Sequence, residues 1–244
     1  MVAATLCQPE WLRSLSATCR AFAVHPDHHY IAVVGDRSGA CEDVLRSWLS
    51  RQGEGAHICR LGATASQTAL AIDLGRTSGD AETRLWGDVA RSVSAGGAAL
   101  GAGPALPGHQ GLWISVLVAG WLAGQAATRA DSWRIAALVS LLAQDPTRAR
   151  SFVHAVLGPL AEDSVAAAQD RQTLAAYLTA GRSLRHVAEQ QHVHRNTVVY
   201  RLHRLTERLP VPLDGAEVDL VCALRVMEVL GVGALDELAS HPPC

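Results

Sequence analysis

The chain has no lysine: all 21 of its basic Lys/Arg positions are arginine. That excludes a P-loop lysine, a Schiff-base or PLP lysine, a Ser-Lys dyad and a kinase-type phosphate lysine. Any anion must be held by Arg, His, backbone N–H or a metal. The six cysteines (Cys7, Cys19, Cys41, Cys59, Cys222, Cys244) form no C-x-x-C pair. They read as small buried or unpaired thiols of a reducing compartment, not as a disulfide or zinc framework. There is no G-x-S-x-G, no H-E-x-x-H and no dinucleotide fingerprint, and carboxylates such as Asp73 and Asp88 are scattered. No catalytic residue, cofactor or metal site is therefore expected. His25-Pro26-Asp27-His28-His29 packs its donors too tightly for easy tetrahedral closure and reads as a loop. The first thirty residues lack a basic start followed by an apolar run, so no signal peptide is expected and the protein is expected in the cytoplasm.

What is present is an apolar chain of 244 residues, 49% hydrophobic and with a formal charge of −2, enough for one large or two small domains. Its charge is uneven. Residues 171–208 hold seven arginines against Glu189 and Glu207, a balance of +5, which leaves −7 for the remainder. A basic segment on an acidic body suggests a polyanion-binding module attached to something else.

Residues 1–27 form an N-terminal segment, and a domain is expected over 28–130. Tyr30–Gly35 is a short apolar run that fits a buried strand, and from Cys41 the apolar spacing is that of an amphipathic helix. Residues 57–61 and 68–74 alternate as strands. A second helix follows Ser78 and Asp80, and Gly96–Gly103 supplies a further strand. The order β-α-β-β-α-β is the ferredoxin-like, split βαβ pattern, also used by nucleotide-cyclase palm domains. Residues 111–127 are almost wholly apolar. At about 1.5 Å per residue they barely reach across a bilayer of about 30 Å, so a buried helix or a subunit interface is expected, with no membrane partner. Gly120 and Gly124 would suit close helix contact.

Beyond residue 131 the pattern is all helical, making the whole chain α+β. A helical linker is expected over 131–162, with Asp145 capping a helix that opens on Pro146 and a hinge at Gly158-Pro159. A helix-turn-helix domain is expected over 163–235, then a tail over 236–244. Ser164 and Ser183 cap successive helices. Ala188 is small enough for two helices to cross closely, with Val193 in the turn and Val198 beyond it. If Val198, Leu202, Leu205 and Leu209 face the core, then Asn196, Tyr200 and His203 point away, with Thr197 and Arg204 on the flank. Those residue types read base edges: Asn toward adenine, Arg toward guanine, Thr toward the thymine methyl. Arg182, Arg185, Arg195 and Arg204 would neutralise phosphates, Ser183 would join the contact set, and Arg201 would either grip a phosphate or pair with Glu189. DNA contact or helix capping is expected for one or two of His186, His192, His194 and His203.

The runs Thr173–Leu178, Ser183–Ala188 and Val193–Leu202 (VHRNTVVYRL) closely resemble the C-terminal helix-turn-helix of PucR/CdaR-type bacterial transcriptional regulators, and Phe152–Leu160 is similar to the lead-in to that module. The resemblance covers roughly residues 147–232. It implies that the preceding α/β region is a degenerate GGDEF-like domain. It also implies a sequence-specific DNA-binding regulator acting on double-stranded DNA as a dimer or higher oligomer, with a small-molecule effector as a further partner. A dimer would set two reading helices about 34 Å apart on a palindromic site. Two departures stand out. Gln191, three residues after Ala188, replaces an apolar residue of the family and is expected to weaken the seam between the two short helices. Gly96-Gly97 is followed by Ala98-Ala99, without the acids a cyclase needs. Two other functions remain in view: an assembly factor whose helix-turn-helix no longer reads DNA, and a nucleotide-binding enzyme of the cyclase-palm type.

Overall fold

The computed structural model describes residues 24–36, 40–51, 57–63, 67–76, 80, 84–89, 100–124 and 132–240. They divide into two compact units, with the break between Gln144 and Asp145. The first contains β1 (His29–Asp36), α1 (Ala40–Leu49), β2 (His57–Ala63), β3 (Gln67–Asp73), helical residues 84–89, β4 (Leu100–Ala102), β5 (Leu106–Pro107), α2 (Gly108–Gly124) and α3 (Ser132–Leu142). The sheet order is β2-β3-β1-β4, with β5 also on β1, and each of these pairings is antiparallel. β1 and β2 therefore run parallel with β3 between them, which is the split βαβ order read from the sequence.

Both faces of β1 are covered, which is why Tyr30–Val34 is apolar without alternation. Ile31 and Val33 lie opposite Ile72 and Leu70. These four share a core with Cys41, Leu45 and Trp48 of α1 and with Leu85 and Val89. The other face carries small residues, Ala32, Ala69, Ala71 and Gly101, and takes α2. Here the approach is limited by backbone. A Cβ on Gly101 would lie 2.0 Å from the Ala119 carbonyl oxygen, and one on Gly103 would lie 2.0 Å from that of Ser115. Close packing thus falls to strand glycines and Gly111, whereas Gly124 has open space around its Cβ position.

α2 covers the described part of the apolar stretch expected over 111–127 and opens three residues earlier, and residues 125–127 lie outside the described residues. Among the described residues no helix is long and apolar enough to cross a membrane. Its one buried polar side chain has a use: the Ser115 hydroxyl accepts from the Ala32 N–H at 2.8 Å. That N–H falls in the gap between the segments of β1 paired with β4 and with β5. At the start of β1, His28 meets both Asp73 oxygens at 3.1 Å and stacks on His25, so the histidine-rich run ties a strand end to its neighbour. Cys41, Cys59 and Cys222 are free thiols, and burial pushes Cys41 up to about 12; the remaining cysteines lie outside the described residues.

The second unit consists of α4 (Pro146–Leu157), a 3-10 turn (Gly158–Ala161), α5 (Val165–Thr179), α6 (Leu184–Gln191), α7 (Arg195–Thr206), α8 (Glu217–Leu230) and α9 (Val232–Ser240). Asp145 caps α4 by accepting from Arg148 N–H at 3.0 Å, and Ser164 caps α5 by accepting from Ala167 N–H at 3.1 Å. The stretch expected as a linker is shared out: α3 belongs to the first unit and α4 to the second. Gly158 has φ +51°, and a Cβ there would strike the Pro210 ring at 2.7 Å, so Gly158-Pro159 is a packed corner within the second unit. Part of the expected tail is helical. α9 packs on α4, and Asp236 accepts from Arg150 Nε at 2.5 Å.

Ser115→Ala leaves the buried Ala32 N–H unsatisfied and should cost about 1–3 kcal/mol in denaturant unfolding. Gly101→Ala should cost more, because the obstacle is backbone that cannot turn aside.

Candidate nucleic-acid interface

α6 has only eight residues, too few for a stable helix alone, so its ends and its packing define it. Ser183 caps it, its hydroxyl accepting from His186 N–H at 3.3 Å. Both flanking turns pass through left-handed backbone at non-glycine residues, Arg182 at φ 64° and His192 at φ 54°. At the C-terminus, His192 N–H reaches the Glu189 carbonyl and Val193 N–H reaches that of Ala188 at 3.0 Å. This is a Schellman closure, with Val193 set against Ala188. α7 opens at once: His194 Nδ1 accepts from Asn196 N–H at 3.2 Å, making a histidine the N-cap. Two of the histidines thus terminate helices.

The expected core stripe of α7 is observed. Val198, Leu202, Leu205 and Leu209 are buried, facing Val187 and Ala188 of α6 and the α5 helix. On the opposite side Asn196, Tyr200, His203 and Arg204 are exposed, Tyr200 at 65%, and Thr197 is half-buried. A large aromatic left that open on a polar helix face is available for stacking or groove contact.

The arginines sort into three groups. Arg171 is buried, donating to the Leu160 carbonyl and, at 3.0 Å, to that of Glu162; its desolvation lowers its pKa. Arg182 and Arg208 are held by acids just outside the basic segment. Arg182 meets Asp214 at 2.6 Å and Glu217 as well, while Arg208 meets Asp170 at 2.5 Å. Arg182, expected on a phosphate, ties the α5–α6 turn to the α7–α8 turn. Arg185 pairs with Glu189 one turn on at 2.8 Å, in the open. That leaves α7. Arg195 and Arg204 are exposed and, among the described residues, have no ion-pair or hydrogen-bond partner. Arg201 is half-buried and donates to Gln191 Oε1 at 3.1 Å, not to Glu189. The uncommitted charge of the segment therefore sits on one helix, beside Asn196, Thr197 and Tyr200. Sequence reasoning missed the Asp170, Asp214 and Glu217 partners because a charge count over a window stops at its edges.

Gln191, expected to weaken the seam, makes polar contacts across it. Its amide spans three helices, Nε2 donating to Thr173 Oγ1 at 3.4 Å on α5 and Oε1 accepting from Arg201 on α7.

Glu217 is held below the usual carboxylate range, first by its own N–H and that of Gly215 and then by Arg182. A carboxyl depressed in the folded state adds stability that is full above its unfolded value and is lost as pH falls through the folded one. The stability gap between wild type and Glu217→Gln should therefore be open at neutral pH and close on acidification in urea unfolding. His192→Gly removes a left-handed side-chain penalty and should raise stability by about 0.5–1 kcal/mol, read as a higher melting temperature.

No curated protein matches the chain. Among solved structures it is similar to the crystal structure of a regulator of polyketide synthase expression from Bifidobacterium adolescentis, at 18% identity over 88% of this chain and 90% of that one, with a TM-score of 0.35. The family of the PucR C-terminal helix-turn-helix domain matches residues 171–226, the stretch from the buried Arg171 into α8. Residues 171–226 thus match the PucR C-terminal helix-turn-helix domain, and α6 and α7 both lie within the match.

Proposed function

We propose that this protein is a sequence-specific, DNA-binding transcriptional regulator that uses α7 in the major groove. The observation that carries the proposal is the coincidence on one helix face of two exposed, unpaired arginines with Asn196, Thr197 and Tyr200, inside a matched helix-turn-helix domain. Arg195 and Arg204 neutralise phosphates. Arg185 joins them by exchanging the exposed Glu189 for a phosphate, since a solvent-screened i,i+4 pair contributes little. Asn196, Thr197 and Tyr200 meet bases, and Ser183 at the start of α6 keeps its capping role next to the backbone. Guanidinium is suited to this work because its planar donors fit both phosphate and guanine in pairs.

The rest of the chain serves that act. The N-terminal sheet, in the place where the family resemblance sets a degenerate GGDEF-like domain, associates with a second copy or senses a small-molecule effector. It is not assigned a reaction, because Gly96-Gly97 lacks the following metal-binding acids. A cytoplasmic homodimer would present two reading helices to a palindrome with half-sites about one DNA turn apart. The assembly-factor alternative drew on Gln191 and on the apolar stretch over 111–127, and the bridge made by Gln191 counts against the first of these.

Selection of genomic fragments by the full-length protein tests the proposal. A common motif should emerge, and Asn196→Ala should lose about 1–3 kcal/mol of discrimination at one base pair of it while its affinity for random duplex holds. No enrichment over random sequence, or equal losses on specific and random DNA, contradicts the assignment.

A further inference from the structure

The bridge through Gln191 joins Thr173 of α5 to Arg201 of α7. Thr173 is almost fully buried, and its hydroxyl hydrogen goes to the Gln169 carbonyl at 3.0 Å, leaving its oxygen as an acceptor. Gln191 Oε1 and Nε2 both lie 3.4 Å from that oxygen, and with its single hydrogen on the Gln169 carbonyl it accepts from Nε2. The amide oxygen is thereby turned to α7, where Arg201, which can only donate, takes it at 3.1 Å. These contacts form the chain Gln169–Thr173–Gln191–Arg201. The chain joins α5, the last residue of α6 and the middle of α7.

Arg201 thus differs from the other cations of α7. Arg195 and Arg204 are exposed and uncommitted, whereas Arg201 is half-buried with a named partner. For Arg201 to reach a phosphate it must release Gln191, leaving a half-buried amide oxygen without that donor and loosening a hydrogen-bonded link that spans the three helices. Unsatisfied groups of that kind are more costly than the net worth of a single made hydrogen bond.

We propose that Gln191 is a positioning residue acting through Arg201: the pair sets the reading helix against α5, and Arg201 stays inside the module instead of on a DNA phosphate. This rests on DNA reading by α7. It assigns to Gln191 and Arg201 a part in DNA affinity that involves no contact with DNA, and it limits the phosphate-binding cations of α7 to Arg195 and Arg204.

The test uses the full-length protein, a duplex recovered by the fragment selection, and thermal unfolding without DNA. The variants are Q191M, which keeps the length of the side chain, R201A, R201Q, which keeps an N–H donor without the charge, the double variant Q191M/R201A, and R195A. R195A should reduce the slope of log K against log salt by about 0.9, as for one lost phosphate contact. R201A and R201Q should leave that slope at its wild-type value while R201A weakens binding several-fold. The double variant should bind no more weakly than the poorer single one. Without DNA, Q191M and R201A should each lower the melting temperature, and the double variant should lower it by less than the sum. A slope reduced by about 0.9 in R201A and R201Q places Arg201 on a phosphate and overturns the proposal. Additive melting shifts show that the bridge carries no coupling and overturn it as well, even if α7 reads DNA. A wild type that selects no duplex overturns the DNA reading and, with it, any role of the pair in affinity, whatever the melts show.

Discussion

The narrow crossing of α6 over α7 is the constraint on which the C-terminal unit depends. An eight-residue helix contributes little on its own, and here it is bounded by two left-handed, non-glycine turns that each cost free energy, about 1–2 kcal/mol. What offsets those costs is burial at one seam. Val187, Ala188, Val198, Leu202 and Leu205 are nearly or wholly excluded from water, and a fully buried Val or Leu contributes about 1.5–3 kcal/mol. Ala188 matters by being small. A longer side chain there would hold the helices apart, open the contact with Val193 and rotate the outward face of α7. The identity of the residues at the seam thus decides which residues face away from it.

Electrostatics follow from the same geometry. The balance of +5 over residues 171–208 suggests a diffuse basic patch, but folding consumes much of it. Arg171 goes inside to hold carbonyls of the 3-10 turn, and Arg182 and Arg208 are neutralised by Asp214, Glu217 and Asp170. Those pairs brace turns; the remaining charge is concentrated on α7. A cation already held by two carboxylates has little to gain from a phosphate, so the lever for DNA is the short list of unpaired ones. The absence of lysine makes this sorting complete among the described residues, since no second kind of permanent cation has to be traced.

How much was legible in the sequence depended on the range of the interaction. Capping by Asp145, Ser164 and Ser183 and the α7 stripe are set within three to eleven residues, and each was readable from residue type and the 3.6-residue period. The split βαβ order was readable because apolar runs and turns recur at strand spacing. Contacts between distant residues were not. Ser115 looked like a stray polar group in an apolar helix, and only the fold shows it serving Ala32, 83 positions away. Gly124 looked like a close-packing residue, yet the backbone contacts fall at Gly101 and Gly103 because small residues on that face let α2 approach. Gln191 read as a defect against an apolar family position, because nothing local announces Thr173 or Arg201 as its partners. The helix over the expected tail was hidden for the same reason: its apolar side, Ala234, Leu235 and Leu238, needs α4 to be buried against.

The central claim is that the outward face of α7 is where DNA lands. Amide hydrogen exchange of the full-length protein, with and without its selected duplex, tests that most directly. The account predicts added protection over Arg195–Arg204 and the end of α6, with α8 and the N-terminal sheet unchanged. Protection on another surface, with α7 exchanging as before, would contradict it.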